Sequence, residues 1–168
     1  MSVFPEPSRG LFDGTLHRFA VTVYYEDTDA GGVVYHANYL RWYERARTDM
    51  LTLLGIDQRT AVEAGQGLYV VADVAMRFHA PARLGDTILI ETRLEELLRA
   101  SVRLTQVARR GETKLNEARI RVGFVAPDGR PRRQPDEWHA AFLPYVHQAD
   151  RQDPENGSAD AEQPERQQ

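Results

Sequence analysis

Apolar residues change period along the chain, and each change predicts an element. Phe19, Val21 and Val23 alternate with polar or small residues, the period of a strand with one buried face. From Asn38 onward Tyr39, Trp42, Tyr43, Ala46, Met50 and Leu54 recur at helical spacing, and Leu40 and Leu51 widen the stripe. Only Arg41, Arg45, Thr48 and Thr52 form a plainly polar strip, so the pattern predicts a central helix wrapped over most of its circumference. Asn38 is the expected N-cap and Gly55 the left-handed C-terminal cap. Asp57 then caps a short helix in which Thr60 and Glu63 also fit a capping box, closed by Gly65 and Gly67.

Alternation returns after that helix. Val70, Ala72, Val74, Met76 and Phe78 predict one face of a strand that stops at Pro81, and Ile88, Ile90, Thr92 and Leu94 mark the next. Val102 and Leu104 alternate with Arg103 and Thr105 up to the turn Arg110-Gly111-Glu112. Beyond it Ala118, Ile120, Val122 and Phe124 alternate with Glu117, Arg119 and Arg121. Trp138, Phe142, Leu143 and Tyr145 suffice for a short terminal helix or docked segment. One strand, a buried helix and four strands, without regular βα alternation, predict an α+β fold: an antiparallel five-stranded sheet curled around a long central helix.

Composition bounds what this fold is for. The 168 residues, 42% apolar and 27% charged, suit one globular domain. With no cysteine, disulfides, thiolate metal sites and a Cys nucleophile are excluded, which suits a reducing compartment. No stretch approaches a membrane span and the N-terminus lacks the apolar core of a secretion signal, so the expected location is cytoplasmic. The formal charge of −4 lies in the tail, where Asp150, Asp153, Glu155, Asp160, Glu162 and Glu165 face only Arg151 and Arg166. The body is formally neutral, and neither a nucleic-acid partner nor a membrane span is expected. The expected division is an N-terminal extension over 1–15, a folded domain over 16–147 and an acidic disordered tail over 148–168.

Candidate chemistry concentrates between strand and helix. Glu26, Asp27 and Asp29 place three carboxylates within four residues, at the cost of mutual repulsion, and Gly31-Gly32 frees the backbone for close approach. A carboxylate just ahead of a helix N-terminus, where unpaired N–H groups polarise a carbonyl oxygen, fits acyl transfer. The same acids could instead cap and solvate a loop. Serine catalysis is excluded, because Ser101, the only Ser between residues 9 and 157, lies in a strand without flanking Gly. A calcium loop fails because Gly31 and Asn38 stand where ligands belong. The five histidines show no zinc spacing, so no metal or other cofactor is expected.

The run from Tyr24 to Tyr39, YYEDTDAGGVVYHANY, continued by Tyr43-Glu44-Arg45-Ala46-Arg47-Thr48 and by His79-Ala80-Pro81-Ala82-Arg83, resembles the hotdog-fold acyl-CoA thioesterases associated with the Tol-Pal system, relatives of 4-hydroxybenzoyl-CoA thioesterase. The resemblance implies the hotdog fold, hydrolysis of acyl-CoA or of acyl groups on acyl carrier protein, and a homo-oligomer, dimer or tetramer, paired across the strand near Tyr69 to His79. It implies Asp29 as the essential carboxylate, His36 at the start of the central helix beside the thioester, and Tyr25 in the same pocket. Asp29 would attack the thioester carbonyl or deprotonate a water, while an N–H at His36 holds the oxyanion. Tyr25 would position the acid or the acyl group, or fill the core. Arg130, Arg132 and Arg133 are candidates for a coenzyme A diphosphate or are solvated charges. The alternative function is a non-catalytic acyl-binding or adaptor protein, and a hotdog dehydratase lacks its His-and-acid pairing.

Overall fold

A computed structural model describes residues 7–147, and the acidic tail expected at 148–168 lies outside the described residues. The strands are β1 (Leu11–Asp13), β2 (Leu16–Thr22), β3 (Leu68–Phe78), β4 (Thr87–Leu97), β5 (Ser101–Arg110) and β6 (Thr113–Val125). They form one antiparallel sheet in the order β1-β2-β4-β5-β6-β3. The helices are α1 (His36–Leu53), α2 (Gln58–Glu63) and α3 (Asp136–Phe142).

The sheet has six strands where the alternation predicted five. The extra one, β1, comes from the segment expected as an N-terminal extension. It is three residues long, too short for periodicity to register, but it is followed by Gly14-Thr15, a Gly-first two-residue hairpin connection. Gly14 takes φ +60 in the two-residue connection between Asp13 and Leu16.

The 18 residues of α1 bury Tyr39, Trp42, Tyr43, Ala46, Met50 and Leu51 against the concave face of the sheet. That face is supplied by alternate positions of β4, β5 and β6, among them Ile88, Ile90, Leu104 and Ile120. The helix ends as its Gly55 predicts. Gly55 has φ +72, its N–H bonds Thr52 O at 3.1 Å, and Ile56 N–H bonds Leu51 O at 2.9 Å, a Schellman closure with Leu51 and Ile56 both buried. A polar thread crosses the core: Tyr43 Oη donates to Asn116 Oδ1 at 2.6 Å, and Gln106 Nε2 donates to Thr92 Oγ1 at 2.9 Å and to Tyr43 O at 3.1 Å. Burial raises the Tyr43 phenol far above its ordinary range, so it stays a neutral donor.

β3 departs from the single face its sequence predicts. Tyr69 and Val71 pair with Phe124 and Val122, but a register shift between Val71 and Asp73 inserts one residue, after which Val74, Met76 and Phe78 oppose Ile120, Ala118 and Asn116. One extra residue moves every following side chain to the other face, so Val70, opposite Gly123, does not share the face of Val74, opposite Ile120. β3 is also an edge, and Val71, Val74 and Phe78 remain 47%, 38% and 50% exposed.

Candidate active site

The segment from Tyr24 to His36 is held from below. A 3-10 turn over Tyr25–Asp27 follows β2, and Asp27 is its anchor. Asp27 Oδ2 accepts from Tyr24 N at 2.7 Å, while its backbone carbonyl accepts from Tyr35 N at 2.9 Å and from Asn38 Nδ2 at 2.7 Å. Asn38 is therefore not the N-cap its position suggested. Tyr35 occupies that position, α1 starts at His36, and Asn38 is buried inside the first turn, where its amide ties the helix to the acidic loop. Asp27 is buried as well.

Asp29 sits differently, two residues on. The loop folds back on itself through the Thr28–Val34 bridge, with Asp29 N donating to Val33 O at 2.9 Å and Gly32 N to Asp29 O at 3.0 Å. Gly32 takes φ +71, a conformation that other residues adopt only with strain. Asp29 Oδ1 accepts from Gly31 N at 2.8 Å, its Oδ2 has no partner among the described residues, and the side chain is exposed. The loop leans on the segment after β3, through Val34 N to Ala82 O at 2.9 Å. Burial raises the phenol of Tyr39, which lies beneath this contact in the first turns of α1.

His36 is the first residue of α1. Asn38 N–H bonds Tyr35 O at 2.9 Å, whereas the N–H groups of His36 and Ala37 have no acceptor among the described residues. Such free donors, at the positive end of the helix dipole, are what an oxyanion needs. The His36 imidazole is exposed and lies against the Tyr35 ring, with centroids 4.3 Å apart. Asp29 and His36 thus bracket one short loop. Tyr25 stands on the preceding turn with 83% of its surface exposed, which rules out the core-filling role, and no hydrogen bond joins it to Asp29 or His36.

Two of the three arginines near the C-terminal turn have partners elsewhere. Arg132 Nη1 donates to Gln66 O at 2.8 Å and so braces the α2–β3 loop, while Arg130 faces Asp128 at 3.7 Å. Asp27 and Asn38 are the positioning residues that sequence reasoning assigned elsewhere. For Asn38 the signal was a polar residue next to the apolar stripe of the helix; Asp27, among the other acids of the turn, carried none.

The chain belongs to the Thioesterase superfamily, whose profile matches residues 31–117, from the glycine pair of the loop into the first half of β6. Among its relatives, the acyl-CoA thioesterase YbgC of Haemophilus influenzae is 42% identical over 74% of this chain and 92% of its own length. The acyl-CoA thioester hydrolase YbgC of Escherichia coli is 44% identical over 76% of this chain and 96% of its own. A probable thioesterase from Bartonella henselae superposes with a TM-score of 0.68 at 34% identity, covering 71% of this chain and 99% of that one. The architecture is accordingly the hotdog thioesterase fold, built on a six-stranded antiparallel sheet.

Proposed function

We propose that the chain hydrolyses acyl-CoA thioesters at the loop between Asp29 and His36. The observation that carries this reading is the unpartnered Oδ2 of the exposed Asp29 on a loop that leads directly into the free N–H groups of His36 and Ala37. The thioester carbonyl would lie with its oxygen on those donors and its carbon toward Asp29. Asp29 then serves in one of two ways. As nucleophile it displaces the CoA thiolate, forming a mixed anhydride that water hydrolyses; as general base it takes a proton from the water that attacks. Either route ends in a carboxylic acid and free CoA thiol. Tyr25 borders the entrance and orients the acyl group.

The finer placement with the Tol-Pal-associated thioesterases and the 4-hydroxybenzoyl-CoA branch rests on the Tyr24–Tyr39 run. Acyl carrier protein is a second carrier that the same loop would serve. The absence of cysteine supports a cytoplasmic location. The assembly is at least a dimer paired along β3, because that edge carries apolar side chains that α1 of the same chain leaves open.

The test is thiol release from a panel of acyl-CoA esters. Asp29→Asn keeps size and hydrogen-bonding reach but loses the anionic oxygen, and should lower turnover by about 10² to 10⁴ with the fold intact. His36→Ala should cost less, since its backbone N–H survives. Turnover by Asp29→Asn at the parent rate would refute the assignment and favour a non-catalytic acyl-binding role.

A further inference from the structure

A partly open cavity of about 140 Å³ lies under the C-terminal half of α1. Its walls are apolar, supplied by Met50, Leu51, Val102, Leu104, Val122 and Phe142, and its rim includes the exposed Glu44, Thr48 and Val71. One wall carries a charge: the partly buried guanidinium of Arg47. Arg47 Nη1 donates to Gln106 Oε1 at 2.8 Å, its single hydrogen bond among the described residues, and no carboxylate there forms an ion pair with it. Burial lowers the Arg47 pKa, with the nearby Glu44 charge opposing. A guanidinium withdrawn from water with most of its five donors unused is costly unless an acceptor reaches it.

Arg47 lies eleven residues beyond His36, about 16 Å along the helix axis. Within one chain the cavity is therefore separate from the Asp29 loop. An apolar cavity of about 150 Å³ accommodates benzene, so the body of a ligand here is a single ring or a short alkyl chain. The guanidinium fork adds the demand for a planar oxyanion. Inorganic phosphate has no apolar body to offer, and an amine would meet a like charge.

We propose that this cavity binds a small monocarboxylic acid, its apolar body among Leu51, Val102, Leu104 and Phe142 and its carboxylate on Arg47. This is the chemistry of the acid that thioester hydrolysis releases, and that link rests on the acyl-CoA reading above. The site is then a place where product returns to the enzyme away from the reacting carbonyl. Glu44 opposes an anion from the rim, where it accepts the Thr48 hydroxyl at 2.7 Å and is screened by solvent.

The experiment is calorimetric titration of the full-length protein in its native assembly with benzoate, with hexanoate as the alkyl probe and benzamide as the uncharged twin of benzoate. Benzoate should bind saturably and about tenfold or more tighter than benzamide, the ratio expected for a charge-assisted contact. Arg47→Met should erase that preference, Glu44→Gln should tighten benzoate, and Val71→Phe, which fills the cavity from its exposed rim, should abolish binding with Arg47 intact. Melting temperatures of all three verify folding, and Val71→Phe decides if Arg47→Met does not fold. Equal affinity for benzoate and benzamide, or benzoate binding unchanged in Val71→Phe, overturns the site. A parent enzyme that cleaves acyl-CoA but binds neither acid also overturns it while leaving the thioesterase reading intact. One that binds benzoate but cleaves no thioester keeps the site and removes only the origin of its ligand.

Discussion

Asp27 and Asp29 stand two residues apart in one turn, yet their surroundings give them opposite consequences on substitution. Charge repulsion alone would make Asp27→Asn a harmless control for Asp29→Asn. Its buried carboxylate, however, holds Tyr24 N at 2.7 Å, a charge-assisted bond that a neutral amide replaces poorly. We expect Asp27→Asn to destabilise by about 1–3 kcal/mol in denaturant unfolding, and Glu26→Gln, exposed in the same turn, to be the neutral comparison. His17 is a second buried polar residue with a measurable signature. Its ring is fully buried between Phe12 and Asp49, with Nε2 2.8 Å from Asp49 Oδ2 and Nδ1 without a partner. Burial lowers its pKa, and the hydrogen bond and charge of Asp49 only partly oppose this. The native state thus binds fewer protons than the unfolded state, so this contribution to stability is complete above about pH 6.5 and is lost as pH falls through the depressed native value. The melting temperature should therefore decline from pH 7 toward pH 5, and His17→Gln, which keeps a donor for Asp49, should flatten that decline. The depressed carboxyls of Asp86 and Glu117 act in a separate window below the usual carboxylate range.

At the level of elements, what the sequence revealed follows from periodicity. β4, β5 and β6 bury the positions that alternation names, and α1 buries most of its predicted stripe, because regular geometry converts spacing directly into a face. The departures are local. The bulge in β3 needs one residue out of register, and nothing in a run of small apolar side chains says where it falls. The start of α1 moved from Asn38 to His36 because an amide serves equally as a cap or as a buried tie, and only the partner at Asp27 O tells them apart. For the site, the order Asp, glycine pair, helix was legible. The exposure of Tyr25 was not, since an aromatic at a strand end reads the same whether covered or bare.

For the whole molecule, the partly exposed apolar side chains of β3 are the basis of the proposed pairing. Val74 and Phe78 oppose Ile120 and Asn116 at the last strand of the sheet, where Phe78 meets α1 only edge-on through Tyr39, at 5.7 Å between ring centroids, and both stay partly exposed with no further strand of the described chain beyond them. Light scattering at micromolar concentration should show at least a dimer. Val74→Asp should shift it to monomer and lower activity, because a charge would be buried without a partner at the shared edge. A parent protein that is monomeric and fully active would refute the paired edge.

The other side of the molecule gathers the two ends of the described chain. The rings of Phe12 and Tyr145 lie 3.9 Å apart between centroids, Val146 bridges Leu94, and His147 N bonds Leu94 O at 2.8 Å. Entry and exit are thereby fastened to the β1–β2–β4 half of the sheet, while β3 lies at its far edge. Connectivity is then separable from architecture. A permuted chain in which a short Gly/Ser linker joins residue 147 to residue 7, reopened at the Gly111 turn, should retain the melting behaviour and thioester hydrolysis of the parent truncated to the same residues. The same proximity lets an anchor at residue 7 or residue 147 hold the protein on a solid support by its β1 side, with the far β3 edge left free to pair.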